Sequence, residues 1–327
     1  MASDLTVAVT GPTGTFGFGL LPLLELNRRV RRVTGIARRP FDPAEHGWTK
    51  LRYRQGDVRN RTALERAFRG ADVVVHLAFM ITGNAPRDEI RAINVDGTRN
   101  AFEAAVAAGA QRFVYASSVA AYGFHRDNPV PMTEEWPVRP ASHLFYGQEK
   151  AEIERMLDER SAAHPELGLY RLRPPVVLGP HAVGAKDLLP GPLAPLGRGG
   201  LRRLPVPLPA LVPDLPMQFI HEDDVGQALL LCILGEGPPG AYNIAGDGVL
   251  TGGDVARELG LVPLPLPGRV VQAGARAVAA VPFVPPVVEW AEAISHPAIM
   301  DTRKAKSELG WRPRHTGLEA LRATLSG

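Results

Sequence analysis

The chain has 327 residues, 45% apolar and 22% charged, with a formal net charge of +3 at neutral pH. Those values suit a globular protein with one large core and an appended lobe, and exclude a low-complexity or fibrous chain. The single cysteine, Cys232 in "ALLLCILG", excludes a disulfide framework and reads as a packed thiol in a reducing compartment. No export signal opens the sequence and no apolar run approaches the ~20 residues that span a bilayer. A cytoplasmic location without a membrane partner is therefore expected. The basic clusters "NRRVRR" (27–32) and "ARRP" (37–40) lack aromatic interleaving, which argues against nucleic acid. The first reads as a solvated helix end.

Short apolar runs rich in β-formers appear in chain order at 5–9, 32–37, 51–54, 72–78 and 112–117, with another at 167–173. Helical patterns lie between them at 62–70 and 94–109, the latter stopped by Gly109, and a further helix begins near Tyr146. Strands alternating with helices predict a parallel sheet covered on both faces: an α/β, Rossmann-type doubly wound fold. Beyond residue 174 the chain turns rich in Pro, Gly, Leu and Val, except where "FIHEDDVGQALLLCIL" (219–234) and "AYNIAG" (241–246) restore a helix and a strand. This predicts a dinucleotide-binding domain over 1–175 that the chain rejoins at about 218–246. A smaller interleaved C-terminal substrate lobe is expected over 176–217 and 247–327. The apolar stretch 269–281 reads as lobe core rather than as a membrane-surface helix, because prolines flank it and cations are few.

Gly11, Gly14 and Gly17 stand at G-x-x-G-x-x-G spacing directly after the first strand. Glycines there permit a tight turn and let backbone N–H groups approach a pyrophosphate, which the next helix meets with its positive end. Thr13, Thr15 and Phe16 belong to the same loop. Pro22, one turn further, is expected to bend or weaken that helix. The second strand ends in "GIARRP" with no carboxylate for ribose hydroxyls. Arg38 and Arg39 there would suit a ribose phosphate, so NADP is expected over NAD.

"LFYGQEKAE" (144–152) places Tyr146 and Lys150 one helical turn apart, on one face. The spacing alone fits either an acid–base pair or the opening turn of a helix with two amphipathic side chains. For the acid–base role implied by the resemblance below, the lysine charge would supply ~4 kcal/mol to poise the hydroxyl near neutrality.

Together these residues resemble the extended short-chain dehydrogenase/reductase family, of the NAD(P)-dependent epimerase/dehydratase type. The resemblance also rests on "GDVRN", "HLAF", "YASSVAAYG", "RLRPPVVLGP", "FIHEDDV", "YNIAG" and "DTRKAKSELGWRP", in that order. It implies Ser118, Tyr146 and Lys150 as the catalytic set, with Ser118 orienting the reacting oxygen and Ser117 the poorer serine. It implies cofactor contacts from Asp57 and Val58, from Leu77, Ala78 and Phe79, and from Ser117, Pro174 and Val176. Asn94 is either part of that network or a helix cap. The resemblance further implies a homodimer through 94–109 and 146–163.

Three positions depart from the nucleotide-sugar pattern. Val176 stands where asparagine is common, Met217 where an arginine precedes the Phe-Ile-His segment, and no arginine occurs in "VVEWAEAISHPAIM". Burying a diphosphate without cations is costly, although Arg202 and Arg203 keep such a substrate in view. Val176, Met217 and Ser118 are thus the candidate substrate contacts. His125, His181 and His221 form no metal spacing, and no metal is expected. His221 reads as structural, with Asp223 or Asp224 capping. The expected activity is hydride transfer between NADP and an apolar ketone or alcohol. A nucleotide-sugar epimerase or dehydratase is the alternative, and a non-catalytic dinucleotide sensor the third reading.

Overall fold

Every residue of Leu5–Thr10 (β1) is buried, as befits a strand with neighbours on both edges and helices on both faces. The structure is a computed structural model describing residues 4–81, 85–182, 208–266 and 296–326. After β1 the chain runs α1 (Thr15–Leu26), β2 (Val30–Ala37), β3 (Leu51–Gln55), α2 (Arg61–Phe68), β4 (Val73–His76), α3 (Arg87–Arg91) and α4 (Gly97–Ala107). It continues with β5 (Arg112–Ala116), α5 (Phe145–Ala163), β6 (Gly168–Arg173), β7 (Val176–Leu178), β8 (Pro209–Pro213), β9 (Pro216–Met217) and β10 (Phe219–His221). Then come α6 (Glu222–Leu234), β11 (Gly240–Asn243), β12 (Leu250–Thr251), α7 (Gly252–Glu258), β13 (Val262–Leu266), α8 (Arg303–Glu308) and α9 (Gly317–Ser326).

Seven strands form one sheet in the order β11-β6-β5-β4-β1-β2-β3, every pair parallel. The order reverses between β1 and β4, and a ligand crevice opens at such a point, beyond the C-terminal strand ends. Alternation along β1 splits the core. Val7 and Val9 pack with Leu20 and Leu24 of α1 and Leu229 and Ile233 of α6, and Ala8 joins Phe102 of α4 and Ile153 and Leu157 of α5. A smaller cluster of Leu178, Phe219, Ala320 and Leu321 lies apart from the sheet.

Helices α1 and α6 meet backbone to backbone. A Cβ at Gly19 would sit 2.1 Å from the Glu222 carbonyl oxygen, and one at Gly226 would sit 2.0 Å from that of Gly19. Helix α1 continues through Pro22 without a break. Pro22 faces outward, and the buried Leu20, Leu21 and Leu24 hold the helix on both sides of it. The basic cluster also differs from its reading: α1 ends at Leu26 with no cation in its last turn. Arg29 reaches across to Glu236 (2.9 Å) and the Leu234 carbonyl (3.0 Å). Cys232 is buried as expected, and burial pushes its thiol pKa upward. No described helix is long and apolar enough to cross a membrane. The stretches 269–281 and 281–288, with Arg202 and Arg203, lie outside the described residues.

Candidate active site

The glycine loop leaves β1 at the switch point. Gly11 has φ +66°, and a Cβ there would lie 2.7 Å from the Ala78 nitrogen. Gly17 is closed in another way, because its Cβ would fall 2.0 Å from the Pro12 carbonyl oxygen. Gly14 is open: a Cβ there would meet Gly11 O at 3.5 Å, an ordinary contact. Gly14 is also the N-cap of α1, which has no side-chain cap and no acidic residue in its first turn. A helix start left uncapped beside an open glycine is a cradle for an anion, so the residues present fit a dinucleotide pyrophosphate. Thr13 flanks this cradle, Thr15 donates to the His181 carbonyl (3.1 Å), and Phe16 packs partly on the core. Gly14→Val should leave the melting temperature within a few degrees (about 1 kcal/mol or less) and weaken cofactor binding at least about tenfold, as titration calorimetry would show.

At the end of β2 the backbone is pinned from β3. The Tyr53 hydroxyl donates to the Ala37 carbonyl at 3.0 Å and also to that of Arg39, and Gln55 Nε2 donates to that of Arg38 at 2.9 Å. Arg38 and Arg39 themselves stand exposed. Asp57 is tied to Arg59 at 2.7 Å. Its burial would raise its pKa, but Arg59 and the nearby Arg38 hold it below the usual carboxylate range. Val58 is buried against Gly97, so it contributes to packing beneath the site.

Across the crevice, Ser118 follows β5 in extended conformation, and its Oγ accepts from Ala120 N at 3.2 Å. It also hydrogen-bonds Tyr146 in the first turn of α5, while the partial burial of Tyr146 pushes that hydroxyl up to about 12. Tyr146 therefore stays protonated across neutral pH in this arrangement. Lys150, one turn on, is 3% exposed. Burial lowers its pKa to about 7, against the pull of Glu154 and Glu149. Its ammonium donates to the Ala116 carbonyl at 2.7 Å and the Tyr115 hydroxyl at 3.2 Å, and the Phe79 ring lies 3.7 Å from it. Phe79 also meets Tyr146 edge-on at 5.5 Å. The Tyr146 hydroxyl is thus raised by burial, with the Ser118 hydrogen bond acting against it, and does not lie near neutrality without ligand. His76, buried between Thr10 and Thr98, is held neutral, its pKa pushed down to about 3 by burial and by Lys150. The neighbouring Leu77 and Ala78 run past Gly11, with Ala78 N donating to Thr10 Oγ1 at 3.2 Å.

Two polar clusters support this face. Arg173 pairs with Glu154 through two hydrogen bonds, with side chains 4% and 1% exposed, and donates to the Tyr122 hydroxyl at 2.6 Å. Ser117 donates to Glu154, so its hydroxyl belongs to this cluster. The second cluster centres on Asn94, which is fully buried within a π-helical turn, Ala92–Asp96. Dihedrals stay helical on both sides, so Asn94 caps nothing. It accepts from Met80 N (2.8 Å) and donates to Met80 O (3.0 Å) and Glu149 Oε2 (2.7 Å). A π turn re-aims one side chain at such a cost only where something holds it. The sequence reading passed over Glu149 and Tyr115, although the i,i+3 spacing from Tyr146 to Glu149 was visible.

On the substrate side, Pro174 is buried, its carbonyl taking a hydrogen bond from Val119 N, while Val176 is 54% exposed. Met217 is partly buried against the cluster of Leu178, Phe219, Ala320 and Leu321, which takes some of its surface away from any ligand. His221 is itself the cap of α6, its Nδ1 accepting from Asp223 N at 3.2 Å. Neither Asp223 nor Asp224 plays that part. Asp224 instead accepts from the backbone of Arg314 and His315. His221, Asp223 and His315 bring possible ligand atoms within 4.8 Å of one another. The two rings stack at 4.1 Å, tilted by 26°.

The NAD dependent epimerase/dehydratase family profile matches residues 7–245. The Mycobacterium tuberculosis protein Rv0501 is 27% identical over 323 residues, covering 96% of this chain and 82% of its own. The Escherichia coli O157:H7 N-acetyl-α-D-glucosaminyl-diphospho-ditrans,octacis-undecaprenol 4-epimerase is 37% identical over 126 residues, 38% of this chain and 37% of that one. Among solved structures, MoeE5 in complex with UDP-glucuronic acid and NAD is 26% identical, has a TM-score of 0.72 and covers 98% of both chains. The fold, the glycine cradle and the profile agree: the chain belongs to the NAD dependent epimerase/dehydratase family of enzymes.

Proposed function

We propose that this protein moves a hydride reversibly between a nicotinamide dinucleotide and a hydroxyl-bearing carbon of a sugar-type substrate, as an epimerase or dehydratase does. The observation that carries the reading is the Ser118–Tyr146 hydrogen bond with Lys150 one turn along the same face. When bound, the cofactor supplies the carbon that accepts or returns the hydride. Ser118 orients the reacting oxygen, Tyr146 gives or takes its proton, and Lys150 holds the ribose side and adds positive charge. MoeE5, which binds UDP-glucuronic acid, supports a nucleotide-linked sugar.

A second reading, an apolar ketone or alcohol, rests on the exposed Val176 and on Met217 in place of polar or cationic partners. Incubation with UDP-sugars, and separately with ketones and secondary alcohols, tests the choice by NMR of the products. A sugar isomer formed without net cofactor use supports the first reading. Net ketone reduction with no change in any UDP-sugar sinks it.

The same proposal includes NADP as the preferred cofactor, because Arg38 and Arg39 stand exposed at the end of β2 and Asp57 is already paired. Arg38→Ala should weaken NADP binding by about 1.5–3 kcal/mol and leave NAD unchanged. Equal losses for both cofactors would remove the phosphate reading. A homodimer through α4 and α5 belongs to the same proposal, and sedimentation would reveal a monomer if it is wrong.

A further inference from the structure

The backbone around Ser118 is pinned to the end of β6. Ser117 N donates to the Leu172 carbonyl at 2.8 Å, and Val119 N donates to that of Pro174 at 2.9 Å. The side chains flanking Ser118 lead to one buried ion pair. On one side the Ser117 hydroxyl donates to Glu154 of α5. On the other, Ser118 opens the short Val119–Ala121 turn that ends at Tyr122. Tyr122 is fully buried, and its hydroxyl accepts from Arg173 at 2.6 Å and donates to Asn243 of β11 at 2.8 Å. Arg173 closes the circuit on Glu154, through Nε at 2.9 Å and through Nη2. Glu154 stands one turn beyond Lys150, which stands one turn beyond Tyr146, so one stripe of α5 carries all three. Packed apolar residues often stabilise a core as well as a buried ion pair does. Stability alone therefore does not account for these charges, whereas a fixed direction for the groups bonded to them does.

We propose that Glu154 and Arg173 are positioning residues for Ser118, tying the exit of β5, through Ser117 and Tyr122, to the helix that carries Tyr146 and Lys150. The inference rests on the proton-transfer role given above to Ser118 and Tyr146, and adds what sets the distance between their hydroxyls. Ser118 belongs to the turn after β5 and Tyr146 to α5, and the Glu154 carboxylate is bonded within the first and built into the second. A reacting group misplaced by about 1 Å can lose on the order of 10²-fold in rate, so such a tie has a catalytic consequence without touching substrate. An apolar pair at 154 and 173 could fill the same space, but it would offer Ser117 no acceptor and Tyr122 no donor.

The test reads the Tyr146 hydroxyl in the full chain without ligand, by NMR of tyrosine isotope-labelled at Cζ. With six tyrosines in the chain, the Tyr146 signal is readily assigned by its loss in Tyr146→Phe. Ser118→Ala sets the shift that follows when its bond to Tyr146 is absent. Ser117→Ala removes one buried hydroxyl and neither charge, and should move the Tyr146 signal in the same direction. Arg173→Met with Glu154→Leu should move it too, although that double variant regains much of the stability lost by Arg173→Met alone, a recovery measured by denaturant unfolding. Leu309→Ala, a deletion in the core on the opposite face of the sheet, lowers stability and should leave the signal in place. A wild-type signal in Ser117→Ala or in the double variant overturns the proposal, as does an equal shift in Leu309→Ala. If Ser118→Ala itself leaves the signal unmoved, the Ser118–Tyr146 bond is refuted and the positioning role falls with it. A shift in Ser118→Ala with none in Ser117→Ala refutes the positioning role alone.

Discussion

Replacing Tyr146 by Phe should lower kcat about 10²–10⁴-fold and leave cofactor affinity within about threefold. The substitution deletes one hydroxyl, the one bonded to Ser118, and keeps the ring that Phe79 meets edge-on. The glycine cradle lies on the other side of the crevice, built by β1 and α1, so its grip on a pyrophosphate does not depend on that hydroxyl. Stopped-flow rates with cofactor titrations on the same preparations check both halves. Because burial holds the hydroxyl at about 12 without ligand, the protonated form prevails throughout the neutral range. The carbonyl-reducing direction should thus show no loss of activity from Tyr146 ionisation below about pH 9. Lys150, lowered to about 7, is the group whose titration the profile should display there.

The largest effect on stability should come from Arg173→Met, at about 3–5 kcal/mol by denaturant unfolding. It strands the buried Glu154 carboxylate and removes a donor from the Tyr122 hydroxyl. Removing both charges with Arg173→Met and Glu154→Leu together should recover much of the loss, since the uncompensated charge is then gone. Burial alone would raise the Glu154 pKa, but Arg173 and Arg171 carry it below its usual 4.5. A depressed folded-state pKa contributes stability that is complete above the unfolded value. The wild type should therefore lose stability as pH falls below ~4.5 toward the folded value, and the double variant should lose less.

Much of this architecture was visible in the sequence, for a physical reason. Parallel strands buried on both faces must be apolar throughout, so 5–9, 72–78 and 112–117 announced β1, β4 and β5 within a few residues. Gly109 announced the end of α4 because it takes φ +68°. Gly11 and Gly17 were legible because only glycine fits there. What escaped was set by contacts distant in sequence. Asn94 sits where a capping residue would, and only the folded chain brings Met80 and Glu149 to it. The direction of the Lys150 ammonium, toward Ala116 and Tyr115, depends on the strand that passes beneath α5. His221 caps its own helix and stacks on His315, 94 positions further on (315 − 221). Pro22 lies inside α1, and the buried Leu20, Leu21 and Leu24 carry the helix through it.

In the proposed reaction Tyr146, with Ser118 and Lys150, passes a proton while a hydride moves to or from a bound nicotinamide. The most direct test is to load the protein with oxidised cofactor and mix it with the UDP-sugar and alcohol panel. Fluorescence of reduced nicotinamide is followed in the wild type and in Tyr146→Phe. The expected result is a signal, transient for an epimerase or lasting for a dehydrogenase, that Tyr146→Phe abolishes while still binding cofactor. An equal signal in Tyr146→Phe, or none with any substrate in a wild type shown to be fully loaded, would contradict the account.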